Sequence, residues 1–246
     1  MEWSGEGYVL STRKHGETSA IIEVFTRDRG RYLGLVRGGV SRRLRPILQP
    51  GNRIKLEWRA RLEEHLGYFQ IEAVSSHAAE LMNDRLSLAG LNAACAMTRE
   101  ALPEREPHSD VYDALDILIQ NLHDIDLWPA LYVQWEAGLL SSMGYGLDLS
   151  RCAATGHIEN LTHVSPRSGR AVCAEAAEPY LDRLYALPSF MQPGNRRNDR
   201  ALQPDDIHKG LALTGYFLET RLQWGVNKTL PEARDRLVQA LTKIKN

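Results

Sequence analysis

The spacing of hydrophobic positions changes once along this chain. Up to about Ala78 the apolar residues fall in short runs with strand-like alternation; beyond it they recur every three to four residues. The first region holds Tyr8–Leu10, Ala20–Phe25 and Tyr32–Val36, with turn signals at Gly16 and at Asp28-Arg29-Gly30 between them. A fourth run sets Ile54, Leu56 and Trp58 against Arg53, Lys55, Glu57 and Arg59, one apolar face and one charged. A fifth, His65 to Val74, sets Phe69, Ile71 and Ala73 against Tyr68, Gln70 and Glu72. Five short strands without an intervening helix predict a small closed barrel, with a five-stranded OB-fold as the leading candidate. The connection from Gly38 to Gly51 is long and basic, contains Pro46 and Pro50, and has the size of a functional loop.

The second region predicts helices. Leu88, Leu91, Cys95 and Leu102 share one face, and Val111, Leu115, Leu118 and Leu122 another, with Asp110, Asp113 and Asp116 outside that stripe. Trp128 to Met143 gives a third helix. Ile207, Leu211, Leu218 and Leu222 form a long stripe that stops at Gly225. Thr229, Pro231 and Glu232 spell a helix start before Leu237, Leu241 and Ile244. Between these helices lies an irregular island rich in Gly, Ser, Thr and Pro. The expected class is α+β: an OB-fold barrel over 1–80, then an all-helical domain over 81–246 with an irregular insertion at 148–176.

Charge sharpens this division. From Arg27 to Arg61 there are eleven basic side chains and two acidic ones, a local balance of +9 in a chain whose net charge is −1. Ten of the eleven are arginines, suited to bidentate phosphate contact and to stacking on bases. Such a cluster repels itself unless a polyanion neutralises it, and nucleic acid is the commonest polyanion in a cell. A solvated arginine-rich sheet edge that discourages aggregation is the alternative.

With 43% hydrophobic and 25% charged residues, the composition supports a real core. The acidic start leads into no apolar targeting segment. The longest uncharged stretch, Leu86 to Thr98, is too short and polar to span a bilayer. Three cysteines, Cys95, Cys152 and Cys173, do not make a disulfide framework, so the expected compartment is the cytoplasm.

Catalytic constellations are missing from the sequence. It contains no nucleophile elbow, P-loop, dinucleotide fingerprint or H-E-x-x-H. Asp205 and Asp206 precede a helix, where acids favour its dipole, and Asp124 and Asp126 fit a polar loop. No catalytic residue is assigned, and the chain reads as a non-enzyme. Cys152, His157, His163 and Cys173 are spaced C-x4-H-x5-H-x9-C, far looser than the tight ligand pairs of structural zinc sites. Two buried thiols and two surface histidines are the simpler reading.

Gly7-Tyr8-Val9-Leu10, His15-Gly16-Glu17, Phe25-Thr26, Gly30, Val36-Arg37-Gly38-Gly39 and the basic loop to Pro50 resemble the start of the RecO family of recombination mediators. Leu139-Leu140, Met143-Gly144-Tyr145, Leu147-Asp148-Leu149, Cys152 and Gly156 resemble the approach to that family's zinc module, which Val164 to Arg170 continues. Many members carry C-x2-C twice there; here Thr155 and Ala176 stand where the second thiolates would be. A four-cysteine zinc site is therefore not expected, and no cofactor is assigned.

The resemblance implies a protein that binds single- and double-stranded DNA and anneals complementary strands. It also implies contact with the tail of single-strand-binding protein, and work with RecR to load RecA. A scaffold whose barrel docks protein rather than DNA is the alternative, and a metal-dependent nuclease a remoter one. The DNA-binding candidates are Arg13, Lys14, Arg27, Arg31, Arg37, Arg42, Arg43 and Arg45, with Arg53, Lys55 and Arg59 as second choices. Tyr32 and Tyr68 are candidate stacking platforms, although an aromatic on a barrel strand is more often core, and Arg196, Arg197 and Arg200 form a second basic cluster.

Overall fold

The 14 residues from Glu2 to His15 form β1, a strand that carries two partners. Its first half pairs antiparallel with β4 (Arg53–Arg59) and its second half with β2 (Ser19–Thr26), with a register shift between Val9 and Ser11. With β3 (Gly30–Val36) and β5 (Tyr68–Ser75) the order is β1-β2-β3-β5-β4, a closed barrel in which β3 and β5 run parallel. The computed structural model describes residues 1–62, 64–192, 204–222 and 229–243. β1 is longer than its apolar run because a strand that closes a barrel must reach past both neighbours. Gly7 allows this, since a Cβ there would meet the Phe25 carbonyl at 2.5 Å.

Alternation fills the barrel. Val9, Ile22, Val24, Ile54, Leu56 and Phe69 point inward, around an aromatic cluster of Trp3, Tyr32 and Trp58. The Tyr32 ring stands edge-on to Trp3 at 5.0 Å and to Trp58 at 5.5 Å. The segment between β3 and β4 forms successive helical turns rather than an open loop: the Arg45 amide donates to the Ser41 carbonyl and the Leu48 amide to Leu44. Its apolar residues Leu44, Ile47 and Leu48 pack into the barrel core, and Leu48 is fully buried. The neighbouring Arg42, Arg43 and Arg45 stay exposed. The segment is an amphipathic plug, greasy toward the barrel and cationic toward water.

A short helical turn, α1 (His77–Glu80), precedes α2 (Arg85–Ala101), whose start is capped by Asp84 accepting from the Leu86 and Ser87 amides. Cys95 and Leu91 of α2 are buried beside Val9 and Gly51 of the barrel, and burial pushes the Cys95 thiol up to about 12. α3 (Ser109–Gln120) places Tyr112 against Tyr8 and Phe25. Strand gives way to helix near residue 80, but the first compact unit continues to His123 and takes in Pro231–Leu237.

The second unit holds Asp124–Leu230 and Val238–Asn246. In it α4 (Trp128–Ser142) packs on α6 (Pro204–Arg221), joined by a buried hydrogen bond in which the Thr214 hydroxyl donates to Glu136 at 2.5 Å. The island between them is more ordered than its composition predicts. β6 (Leu161–Val164), β7 (Ala171–Cys173) and β8 (Tyr185–Ala186) form an antiparallel sheet in the order β7-β6-β8, and α5 (Ala174–Ala177) follows β7. Elements of two to four residues are too short to show a period, which is why the sequence reads as irregular. The last helix, α7, spans Glu232–Lys243.

Because Leu48 fills the barrel mouth, Leu48→Ala is expected to cost about 2–5 kcal/mol of stability. The expected outcome in urea titration is a lower midpoint with an unchanged slope.

Candidate nucleic-acid interface

Three chain segments meet at one end of the barrel. β1 finishes there with Arg13 and Lys14, which stand in register with Ile21 and Ala20 of β2. Ala20 in turn pairs with Val36, so β3 delivers Arg37 to the same end. The plug begins immediately afterward, and the Val40 amide donates to the Thr18 carbonyl at 3.2 Å. The Thr12 hydroxyl donates to the Leu48 carbonyl at 2.5 Å, fixing the far side of the plug. The Asn52 side-chain amide donates to the Pro46 and Ile47 carbonyls. The arginines of this segment therefore ride on a held backbone, a favourable start for a binding surface.

Arg13, Lys14, Arg37, Arg42, Arg43 and Arg45 are all exposed. Glu17 is the single acidic residue across 13–18 and 37–52, so the end is strongly positive. Six of the eight predicted contact residues are thus brought together.

The other two lie elsewhere and already have partners. Arg27, in the β2–β3 turn, makes a two-pronged contact with Asp113 of α3 at 2.8 and 2.9 Å. That hydrogen bond holds the Asp113 carboxyl below the usual range. Arg31 is paired with Glu23 and donates to the Leu102 carbonyl at 2.8 Å, with only 12% of its side chain exposed. Burial depresses the Arg31 guanidinium. Glu23 faces Leu33 across the β2–β3 hairpin, so Arg31 sits two residues away on the same face. The hairpin register was the signal that could have found this pair.

The second-choice arginines are also engaged. Arg53 bonds Glu6 at 2.9 Å and Asp116 at 3.3 Å, and Arg59 approaches Glu2 and Glu57. Lys55 stands in register between Glu6 and Glu72. Asp116 also accepts from the Tyr8 hydroxyl at 2.5 Å, and burial together with that carboxylate pushes Tyr8 far up. The outer faces of β1, β4 and β5 therefore largely cancel their own charge.

Tyr32 is core, with 4% of its surface exposed, whereas Tyr68 is 48% exposed beneath the Arg37 guanidinium. Arg196, Arg197 and Arg200 lie outside the described residues.

In the second unit the island brings its two thiols together. The Cys173 amide donates to the Cys152 sulfur at 3.3 Å, and the Thr155 hydroxyl lies 3.6 Å from the Cys173 sulfur. Burial pushes the Cys152 thiol up. Hydrogen bonds from Thr155 and from the amides of Cys173, Thr155 and Ala154 outweigh it and bring the thiol down to about 6. Thr155 thus occupies the neighbourhood of a missing thiolate. His157 is exposed, and His163 bonds the Thr162 hydroxyl. Among the described residues no three His, Cys, Asp or Glu side chains gather as a metal site, so these residues do not fit a zinc ion. A cavity of about 500 Å³ nearby is lined by Glu159 and Glu175 as well as His157, a lining poorly suited to an anion.

No described helix is long and apolar enough to cross a membrane. Residues 1–77 match the family described as Recombination protein O N terminal, and residues 82–230 match Recombination protein O C terminal. A DNA repair protein RecO from Methylobacterium nodulans is 49% identical over 239 residues, covering 97% of each chain. Proteins of the same name from Cereibacter sphaeroides and Caulobacter vibrioides are 49% and 48% identical over 244 residues, and each comparison covers at least 98% of both chains. The family matches together cover most of the sequence, so the chain belongs to the RecO family of DNA repair and recombination proteins.

Proposed function

We propose that this chain is a cytoplasmic, nucleoid-associated, non-catalytic DNA-binding mediator. It grips single- and double-stranded DNA at the plugged end of its barrel and anneals complementary strands. With RecR and the tail of single-strand-binding protein it helps load RecA, as the family resemblance implies. The observation that carries the DNA-binding part is the gathering of Arg13, Lys14, Arg37, Arg42, Arg43 and Arg45 on one held, exposed end facing one carboxylate, Glu17.

The physics is charge neutralisation. Phosphates bound by arginines release condensed counterions, so affinity falls with salt along a line whose slope counts the contacts. Annealing brings two polyanions together and demands that both be neutralised while their bases stay free. No bond is made or broken in that process, so no catalytic group is required. The paired arginines are assigned to the fold: moving Arg31 to a phosphate would strand the buried Glu23, and Arg27 is held by Asp113 of α3 in a pair exposed to water on both sides.

Replacing Arg42, Arg43 and Arg45 together by alanine is expected to make the log–log salt dependence of DNA binding shallower by about three. An unchanged slope would reject this surface. Arg31→Ala is expected to behave oppositely, lowering stability by about 3–5 kcal/mol because Glu23 is left buried and unpaired. Its DNA salt slope should match the parent's at temperatures where the variant is folded. The Cys152–Thr155–Cys173 arrangement is expected to hold no zinc, and metal analysis finding one tightly held zinc per purified chain would overturn that assignment.

A further inference from the structure

The barrel strands and the turns joining them contain seven aromatic residues: Trp3, Tyr8, Phe25, Tyr32, Trp58, Tyr68 and Phe69. Tyr68 is the one whose ring is exposed, while Tyr8, Phe25, Tyr32, Trp58 and Phe69 are buried and Trp3 packs on the core. Alternation enforces this, because Phe69 turns inward over Gly34 and its predecessor must turn outward. The position is also rigid. Tyr68 pairs with Leu35 on one side and Arg59 on the other, and the Leu35 amide donates to the Gly67 carbonyl at 3.0 Å. Gly67 has φ +67° and lies so close to Trp58 that a Cβ would collide with the indole. The indole nitrogen donates to the Leu66 carbonyl at 3.1 Å. An exposed tyrosine on so fixed a backbone adds nothing to the core, and exposing its apolar ring to water costs free energy.

Arg37 connects this ring to the cationic end. Its guanidinium carbon lies 4.7 Å from the ring centroid, and Arg37 follows β3 directly into the plug. We infer that Tyr68, with Arg37 over it, is a stacking site for an unpaired base of single-stranded DNA, at the margin of the phosphate-binding end. An aromatic face beside a guanidinium attracts any base, by ring overlap and by cation–π interaction. A base in a duplex is already stacked on both faces and has nothing to offer the ring. The site therefore separates single strands from duplexes, where the arginines alone distinguish them only by charge density. This rests on the proposed DNA-binding end and adds a contact that reads stacking rather than charge.

The test compares an oligothymidine with an abasic strand of equal length and with a duplex, all at one salt concentration. Tyr68→Ala is expected to weaken oligothymidine binding about tenfold, while abasic strand and duplex stay within about twofold, and Tyr68→Phe is expected to retain parental binding. Equal losses on oligothymidine and abasic strand, or no loss on either, would overturn the stacking site. Salt-dependent abasic binding by the parent, lost with the three plug arginines, reports on the underlying surface separately. If the parent binds neither single strand, both the surface and the stacking site fall. A melting temperature within a few degrees of the parent's is expected for Tyr68→Ala, and a large drop would count against a purely surface role.

Discussion

A guanidinium serves a ligand most readily where no carboxylate of its own chain competes for it. The first 61 residues of this protein divide their arginines by that rule. Where β1, β4 and α3 bring Glu2, Glu6, Asp113 and Asp116 within reach, Arg27, Arg53 and Arg59 are neutralised at home. Where the plug and the ends of β1 and β3 meet, Glu17 is the one nearby acid in the sequence and the cations remain available. Six like charges so close together repel one another, yet water and salt screen them beyond about a Debye length. The repulsion is held in check by the plug's buried side, where Leu44, Ile47 and Leu48 anchor the backbone that carries three of the charges. Core packing thus sustains an electrostatic arrangement that would otherwise relax.

The architecture was legible because its two periods are distinct. Ile54, Leu56 and Trp58 all turn inward as their alternation predicts, and Leu91, Cys95, Leu115 and Leu118 are buried as their helical spacing predicts. The length of β1 was not legible, because its ends, Glu2 to Glu6 and Ser11 to His15, carry polar outer faces and serve two neighbours. Nor was the plug, whose apolar residues Leu44, Ile47 and Leu48 are diluted by three arginines and two prolines. The division of the arginines was the least accessible feature. Arg27 meets Asp113 across 86 residues and Arg53 meets Asp116 across 63, distances over which spacing rules say nothing. The acids lie off the apolar stripe of α3, and what they face depends on how that helix docks. Tyr68, by contrast, already shared the polar face of its strand with Gln70 and Glu72, so its exposure follows from period alone.

The island joins a hydrogen-bonded thiol to a small sheet. Hydrogen bonds from the Cys173, Thr155 and Ala154 amides converge on the Cys152 sulfur, an environment that favours thiolate as a metal would. Thr155 and Ala176 stand where the family resemblance puts two further thiolates, and the Thr155 hydroxyl lies 3.6 Å from the Cys173 sulfur. Antiparallel pairing of β6 with β7 and β8 supplies cohesion of its own. The small sheet thus has a source of order that does not depend on an ion.

A protein that anneals strands faces a constraint that a sequence-specific binder does not. Every hydrogen bond it made to a Watson–Crick edge would have to be surrendered before that base could pair, so base-edge readout opposes the task. Phosphate contacts avoid the conflict because the backbone is outside the pair. Stacking on one face avoids it too, since the edge stays open while the ring is held. The proposed DNA-binding end, arginines with one exposed tyrosine at their margin, offers contacts of these two kinds. On the proposed reading only the tyrosine contact is lost as the bases pair and stack on one another, because the duplex hides their faces while its phosphates still meet the arginines.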